Sequence, residues 1–369
     1  MFRESAMVES AFGFKERKAE FKIEVVAGLT TFLTMAYIIF VNPMILSETG
    51  MDKQALTAVT CIVTAVATII VGLVAKAPIA MAPGMGLNAF FAYLVASGKM
   101  GWQSALGVVF LSGLLFLILT LLGLRKRVVE AIPQSLISAI AVGIGLFITF
   151  IGLANLGMVV ADEHTFVKAG PLTLTVLIGL FGLLVMIYFE MRKVTGALLI
   201  GIAAATALAI ICGKVQLPAH LAPTAANFDI SKLAFKLDIL GAMKLTFFGS
   251  IFTLMFIDMF DSIGTLVACC HQADLTDETG RIKGLDRLLG IDAVATMIGA
   301  VFGTSTTTAY IESAAGIEQG GRTGLTSLVT GLLFLLALLF APIVAIVPKY
   351  ATAPALIMVG LFMRRKSGK

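Results

Sequence analysis

Charge, histidine and tryptophan are all scarce in this chain. Only 13% of its 369 residues are charged, and it holds three histidines and one tryptophan. So little charge excludes a soluble globular protein of this length, in which about 25% of residues carry charge. The histidines, His164, His220 and His271, all fall between apolar stretches. No imidazole is therefore expected at bilayer depth, which argues against an intramembrane hydrolase or a buried metal centre. Cys61, Cys212, Cys269 and Cys270 have neither metal-ligand nor disulfide spacing and read as small apolar packers. Walker loops, zinc clusters and serine/histidine/aspartate arrangements are missing too, so neither an enzyme nor a cofactor or metal is expected. The first twenty residues are charged throughout and lack the apolar core of a cleavable signal peptide. They read as an interfacial amphipathic helix or an unstructured tail.

Apolar side chain is what the chain does have: 59% of residues are hydrophobic and the mean hydropathy is +1.00. Runs of about twenty apolar residues recur along its length, the pattern of an all-α polytopic membrane protein. The spans are read at 23–46, 55–75, 79–97, 103–123, 132–153, 171–189, 194–212, 244–264, 287–302, 303–317, 323–346 and 350–363. With the N-terminus inside, all ten arginines fall on the cytoplasmic side, and the opposite side carries only lysines. This positive-inside bias accounts for the net charge of +5 without a nucleic-acid partner. The expected location is the plasma (cell inner) membrane, multi-pass, with both termini cytoplasmic.

Gly113-Leu114-Leu115-Phe116-Leu117 recurs as Gly331-Leu332-Leu333-Phe334-Leu335, and Gly145-Leu146-Phe147 as Gly360-Leu361-Phe362. Phe32 and Met35 recur as Phe252 and Met255 in the same order and at nearly the same offset. A repeat with an odd number of spans, here seven, inverts its second copy across the membrane. Segments six and seven have no counterpart before Lys369. About sixty residues, or two helices, of the second copy are therefore expected to be absent.

Segments three and ten look interrupted. Pro83, Gly84 and Gly86 break the first, and Asn88 is placed to open a new half-helix. In the second, the hydroxyl run Thr304, Ser305, Thr306, Thr307, Thr308 leads to Tyr310 and Glu312. Paired broken segments mark midplane substrate sites in secondary transporters. A tight turn between helices at Pro83–Gly86 is the plainer alternative. Segment eight adds Asp258 and Asp261, three apart and on one helix face, or else serving as shallow caps. A charge at bilayer depth costs roughly 2.5–3.5 kcal/mol, so such acids need partners, a cavity or a function. Carboxylates and an amide suit a neutral ligand rich in N–H groups. Phe90, Phe91, Phe260 and Tyr310 can stack on a planar ring or simply pack. Asp292 reads as a helix-terminal charge.

Three motifs, APGMGLNAFF at 82–91, DMFDSIGTL at 258–266 and GTSTTTAYIESAAG with GGRTGLT at 303–326, resemble those of the AzgA-like purine permeases among the nucleobase–cation symporters. The resemblance runs from about Glu20 to Gly360. It implies a seven-plus-seven inverted repeat, with a core domain at 23–123 and 244–346. A gate domain would occupy 124–243 and begin again at 347–369, after a cytoplasmic tail at 1–22. A purine (hypoxanthine, guanine or adenine) would lie between the breaks, imported with a proton, or sodium, by elevator-like motion of core against gate. A homodimer built on the gate is also implied. Asn88, Asp258 and Glu312 would bind the purine with support from Gly86 and Asp261, and Ala89, Phe90 and Thr308 complete the candidate set. Asp258, Asp261 and Glu312 are the proton-coupling candidates, because a buried acid can carry a proton through an apolar layer as a neutral group. Two alternatives stay open: a permease that keeps its purine-binding core but no longer transports, and an anion carrier on the same fold.

Overall fold

The computed structural model describes residues 12, 14–17, 19–98, 100–123, 134–215, 229–276, 282 and 284–366. Residues 1–11 and the loop positions Lys99, Arg125, Lys126, Arg127, His220, Arg281, Lys283 and Lys369 lie outside this set. The first half comprises α1 (Phe21–Met35), α2 (Ile38–Ser47), α3 (Lys53–Ile70), β1 (Met81–Pro83), α4 (Met85–Ala96), α5 (Trp102–Leu121) and α6 (Gln134–Leu156). A hairpin of β2 (Val159–Asp162) and β3 (Phe166–Ala169) follows, then α7 (Leu174–Met191) and α8 (Ala197–Ile211). The second half comprises α9 (Phe248–Gln272), α10 (Leu285–Phe302), β4 (Thr307–Ala309), α11 (Ser313–Glu318), α12 (Gly324–Ala337), α13 (Ala341–Ile346) and α14 (Lys349–Lys366).

Among the described residues each of the twelve expected segments contains helix, and segments three and ten are strand–helix pairs. Among the described residues six runs are long and apolar enough to cross a membrane: Phe21–Ser47, Lys53–Ala75, Trp102–Leu121, Leu174–Met191, Leu245–Gln272 and Gly324–Val344. Met85–Ala96, Val142–Leu156, Ala197–Ile211 and Lys349–Phe362 are shorter apolar helices. Three local features go beyond the sequence reading. Segment one is broken at Ala36–Tyr37, between α1 and α2. The connection after α6 is a hairpin, because Asp162 accepts from the backbone N–H groups of His164 and Thr165 and pairs with Lys168 across the strands. The chain before α1 turns through a short helix, Phe14–Arg17, and buries Phe12 and Phe14 against Leu325.

The repeated glycines turn out to be helix-crossing points. Gly113 on α5 packs against α10, where a Cβ would stand 3.0 Å from Thr296 Cγ2. Its counterpart Gly331 on α12 packs against α3, with a Cβ 2.6 Å from Ile69 Cγ1. Segment four on nine thus mirrors segment eleven on two, as an inverted duplication requires. The second repeated glycine pair meets itself: a Cβ on Gly360 of α14 would collide with the carbonyl oxygen of Gly145 on α6. Small residues allow such close approach where lipid offers no competing hydrophobic force. Another contact of this kind, Gly72 against Gly324, is so tight that a Cβ on Gly72 would lie 2.6 Å from the Gly324 carbonyl. At the centre β1 and β4 pair antiparallel, with Met81 opposite Ala309, Ala82 opposite Thr308 and Pro83 opposite Thr307.

Gly324→Ala is expected to force α12 off the Gly72 backbone and to cost about 1–3 kcal/mol, the usual range for overpacking. A lowered melting temperature in detergent is the readout. Gly249→Ala, on a helix with no atom within 4 Å of the new methyl, should leave it unchanged or raised.

Candidate functional site

The two short strands have left the helix inside an apolar layer, so every backbone group they free must be met by protein. Their neighbours do this. Gly84 N–H donates to Thr306 O at 2.9 Å, and Tyr310 N–H to Ala80 O at 2.9 Å. Pro83 has no N–H to strand, and its carbonyl accepts from the Tyr310 hydroxyl at 2.6 Å. Thr68 Oγ1 accepts from Met81 N–H and lies 3.0 Å from Met81 O, while Ser313 Oγ accepts from Ala80 N–H at 3.0 Å.

β4 is suspended between two buried polar clusters. On one flank the Asp292 carboxylate accepts from Ala309 N–H at 3.0 Å and from Ser262 Oγ at 2.6 Å, and Ser262 in turn lies 2.7 Å from Thr308 Oγ1. Thr296 Oγ1 lies 3.0 Å from both Asp258 Oδ2 and Thr307 O, and accepts from Thr307 N–H at 3.2 Å. The other Asp258 oxygen, Oδ1, is buried with no partner. On the opposite flank the Asn88 amide donates to Asn42 Oδ1 and accepts from Ser305 Oγ. Asn42 donates to Thr60 Oγ1 at 2.7 Å and to Thr304 Oγ1 at 3.2 Å.

In front of β4 lies a cleft of about 100 Å³ between the starts of the two half-helices. Gly84, Met85 and Gly86 wall one side and Tyr310, Ile311 and Glu312 the other, with Asp261 and Thr265 from α9. Val359 and Phe362 of α14 also line it. Glu312 Oε1 accepts from the Tyr37 hydroxyl at 2.7 Å, at the break in segment one. The first amides of α4 have no intrahelical acceptor, so the site combines N–H donors with carboxylate acceptors. A second cavity, 360 Å³, shares Ile311, Glu312 and Phe362 with the cleft and runs to Glu190, Val194 and Glu318.

Of the residues singled out from sequence, Gly86, Asp261, Thr308 and Glu312 line the cleft. Asn88 and Asp258 sit behind β4 within the polar clusters, 0% and 1% exposed. Ala89 is buried in the core, and Phe90 packs in an apolar cluster beside Tyr93. Asp292, read above as a helix-terminal charge, is instead fully buried and holds the strand, because β4 crosses α10 seven residues into that helix. Tyr37 and Asn42 are not among the residues singled out from sequence. Asn42 did carry a signal, an amide before Pro43 in the middle of an apolar span. Tyr37 carried none, since an aromatic in an apolar run looks like packing.

This architecture, two interrupted segments crossing at the centre of a helical membrane bundle, defines a transporter fold. The transmembrane domain of a cyanobacterium bicarbonate transporter, BicA, matches it with a TM-score of 0.68 over 92% of this chain and 88% of that chain. At 19% sequence identity that likeness speaks to fold alone. Residues 22–364 match the model of the Xan_ur_permease family, a permease family, and the chain belongs to it. It is 41% identical to the adenine permease AdeP of Escherichia coli, covering 97% of this chain and 80% of that protein. It is 40% identical to the guanine/hypoxanthine permease PbuG of Bacillus subtilis, covering 98% of this chain and 84% of that protein.

Asp292→Ala should orphan the Ala309 amide, at about 1–3 kcal/mol for a buried group left unpaired, and leave the Ser262 hydroxyl only its Thr308 partner. The purified variant should melt well below the parent in detergent. Asp258→Asn, at a carboxylate with one partner, should lower the melting temperature far less.

Proposed function

We propose that the chain imports a neutral purine nucleobase across the plasma (cell inner) membrane in symport with a proton, binding it in the cleft between Gly84–Gly86 and Tyr310–Glu312. The observation that carries this reading is the composition of the cleft. Two carboxylates, Asp261 and Glu312, face the amides that open α4 across a narrow gap. A purine offers ring and exocyclic N–H groups to the acids and lone pairs to the amides. An anion would meet the two carboxylates with like charge, which weighs against a carrier of the BicA kind. The names of AdeP and PbuG, an adenine and a guanine/hypoxanthine permease, point to the same ligand class.

Proton coupling fits the wiring behind β4. The Thr296 hydroxyl has one hydrogen and two acceptors within 3.0 Å, Asp258 Oδ2 and Thr307 O. A proton on Asp258 lets that acid donate to Thr296 Oγ1 and frees the hydroxyl hydrogen for the strand carbonyl. Glu312, held by Tyr37, is the second acid poised between proton and ligand. At about 100 Å³ the cleft is smaller than the roughly 300–1,000 Å³ of small-molecule sites, so substrate enters when the helix that supplies Val359 and Phe362 moves away. That helix, α14, packs with α6, α7 and α8. These four form the gate in our reading, and the remaining helices form the core that slides against it. The 360 Å³ cavity beyond Phe362 reaches the turn between α7 and α8, on the arginine-bearing face taken as cytoplasmic, and provides the exit.

Uptake of labelled adenine, guanine, hypoxanthine and uracil by cells lacking their own nucleobase carriers tests this, with binding to purified protein measured alongside. One or more purines should accumulate, uracil should not, and a protonophore should abolish uptake while sodium removal has no effect. Glu312→Gln and Asp258→Asn should each reduce uptake at least about a hundredfold, the scale of a lost acid–base group. Proton-independent purine uptake retained in both variants would refute the assignment.

A further inference from the structure

The arginine-bearing face has a second built feature, away from the cleft. Lys76, at the end of the helical turn Val71–Ala75, joins Arg17, Arg287 and Arg322 around a cavity of 610 Å³. Among the described residues that line it there is one acid, Asp274, 3.8 Å from Arg322 Nε. The cations come from four separate places in the chain, and two of them are held by hydrogen bonds. Arg17 donates to the Lys76 and Arg322 carbonyls, and Arg322 donates through Nη1 to Ile317 O at 2.7 Å. The first turn of α10, with Gly284 and Leu288, opens on the same space. General positive-inside bias scatters basic residues along a face and does not by itself explain their convergence on one concavity.

A second observation says what kind of anion fits. Arg287 also stands at the end of a 280 Å³ groove whose other walls are apolar: Ile70 on α3, Leu117 on α5, and Ile291, Val294 and Ile298 on α10. Val294 is 38% exposed there, and Leu73 and Val74 are exposed nearby. Cationic cavity and apolar groove therefore meet at one side chain. We propose that this is a binding site for one anionic phospholipid, its phosphate among Arg17, Lys76, Arg287 and Arg322 and an acyl chain along the groove between α3, α5 and α10. A free phosphate or nucleotide would leave the groove unused. A zwitterionic lipid would bring a cation into a cavity that already holds four. The elements involved, α3, α5, α10 and the start of α12, belong to the helix group that carries the broken segments. The site is independent of which substrate the cleft takes.

The test uses the full-length protein in detergent, titrated with phosphatidylglycerol, phosphatidylcholine or inorganic phosphate. Native mass spectrometry and melting temperature are the readouts. Phosphatidylglycerol should bind in one saturable step and raise the melting temperature, and phosphatidylcholine and phosphate should do neither. Arg287→Gln and Lys76→Gln should each weaken phosphatidylglycerol binding about fivefold, the share of one basic group near an anionic headgroup. Val294→Trp should weaken it by filling the groove with charge unchanged. Equal binding of the two lipids overturns the proposal. So does full stabilisation by phosphate alone, or unchanged phosphatidylglycerol affinity in all the variants that fold.

Discussion

A peptide chain that leaves the helix inside hydrocarbon must find a partner for each amide and carbonyl it frees, and unpaired groups there cost several kcal/mol each. The antiparallel pairing of Met81–Pro83 with Thr307–Ala309 meets that demand, and the rest of the molecule is arranged to protect it. Neither strand has another strand beside it among the described residues. Their outer edges are therefore finished by side chains: Thr68 and Ser313 along β1, and Thr296 and Asp292 along β4. Of the buried Thr304–Thr308 run, Thr304, Ser305 and Thr308 hydrogen-bond within the flanking clusters, and the Thr306 and Thr307 hydroxyls are buried without a partner. They belong to the construction of the crossing, whose open front is the cleft.

The acids consequently divide by task. Glu24, fully buried at the start of α1, accepts from the amides of Arg322, Thr323 and Thr326 and so caps α12, whose own first turn has no intrahelical acceptors. Asp292 does the same for an irregular strand. Both are spent on backbone. Asp261 and Glu312 face the cleft, and Glu312 is oriented by Tyr37. Asp258 stands between the two tasks, with one oxygen on Thr296 and the other unpartnered. A buried acid that is incompletely satisfied has slack that a structural acid lacks, and slack is what a group needs if its bonding is to change during a cycle.

How much of this was legible beforehand depended on whether a residue's neighbours in sequence were also its neighbours in space. The twelve segments, the breaks at Pro83–Gly86 and Thr304–Thr308, and the intramembrane positions of Asp261 and Glu312 follow from local pattern: apolar runs, helix breakers, charge where charge is expensive. The glycine repeats were visible too, and their role as crossing points explains why small residues recur there. What stayed hidden were partnerships across the chain. Glu24 and Arg322 are 298 positions apart, and nothing near Glu24 announces a helix end waiting for it. Asn88 stands as a candidate by its place in the broken segment, but its partners Asn42 and Ser305 lie far from it in the chain. Asp292 was misread because its distance from the start of α10 says nothing about which strand crosses there. The hairpin after α6 rested on Asp162, one short-range acceptor in a loop otherwise without pattern.

The crossing also indicates how proton and ligand communicate in the proposed cycle. Thr307 touches the Asp258 cluster through Thr296, and Thr308 to Glu312 form the wall of the cleft, so one short stretch of backbone carries both. Protonating Asp258 changes which acceptor the Thr296 hydrogen serves, and thereby how firmly β4 is held from behind. Ligand binding at Tyr310–Glu312 acts on the same strand from the front. In that cycle proton and purine bias one element and share a single coupling free energy, so each changes the other's affinity by the same factor. That reciprocity needs no long-range pathway, because Thr307, the strand residue that meets Thr296, and the cleft wall at Tyr310–Glu312 belong to one short run of consecutive residues.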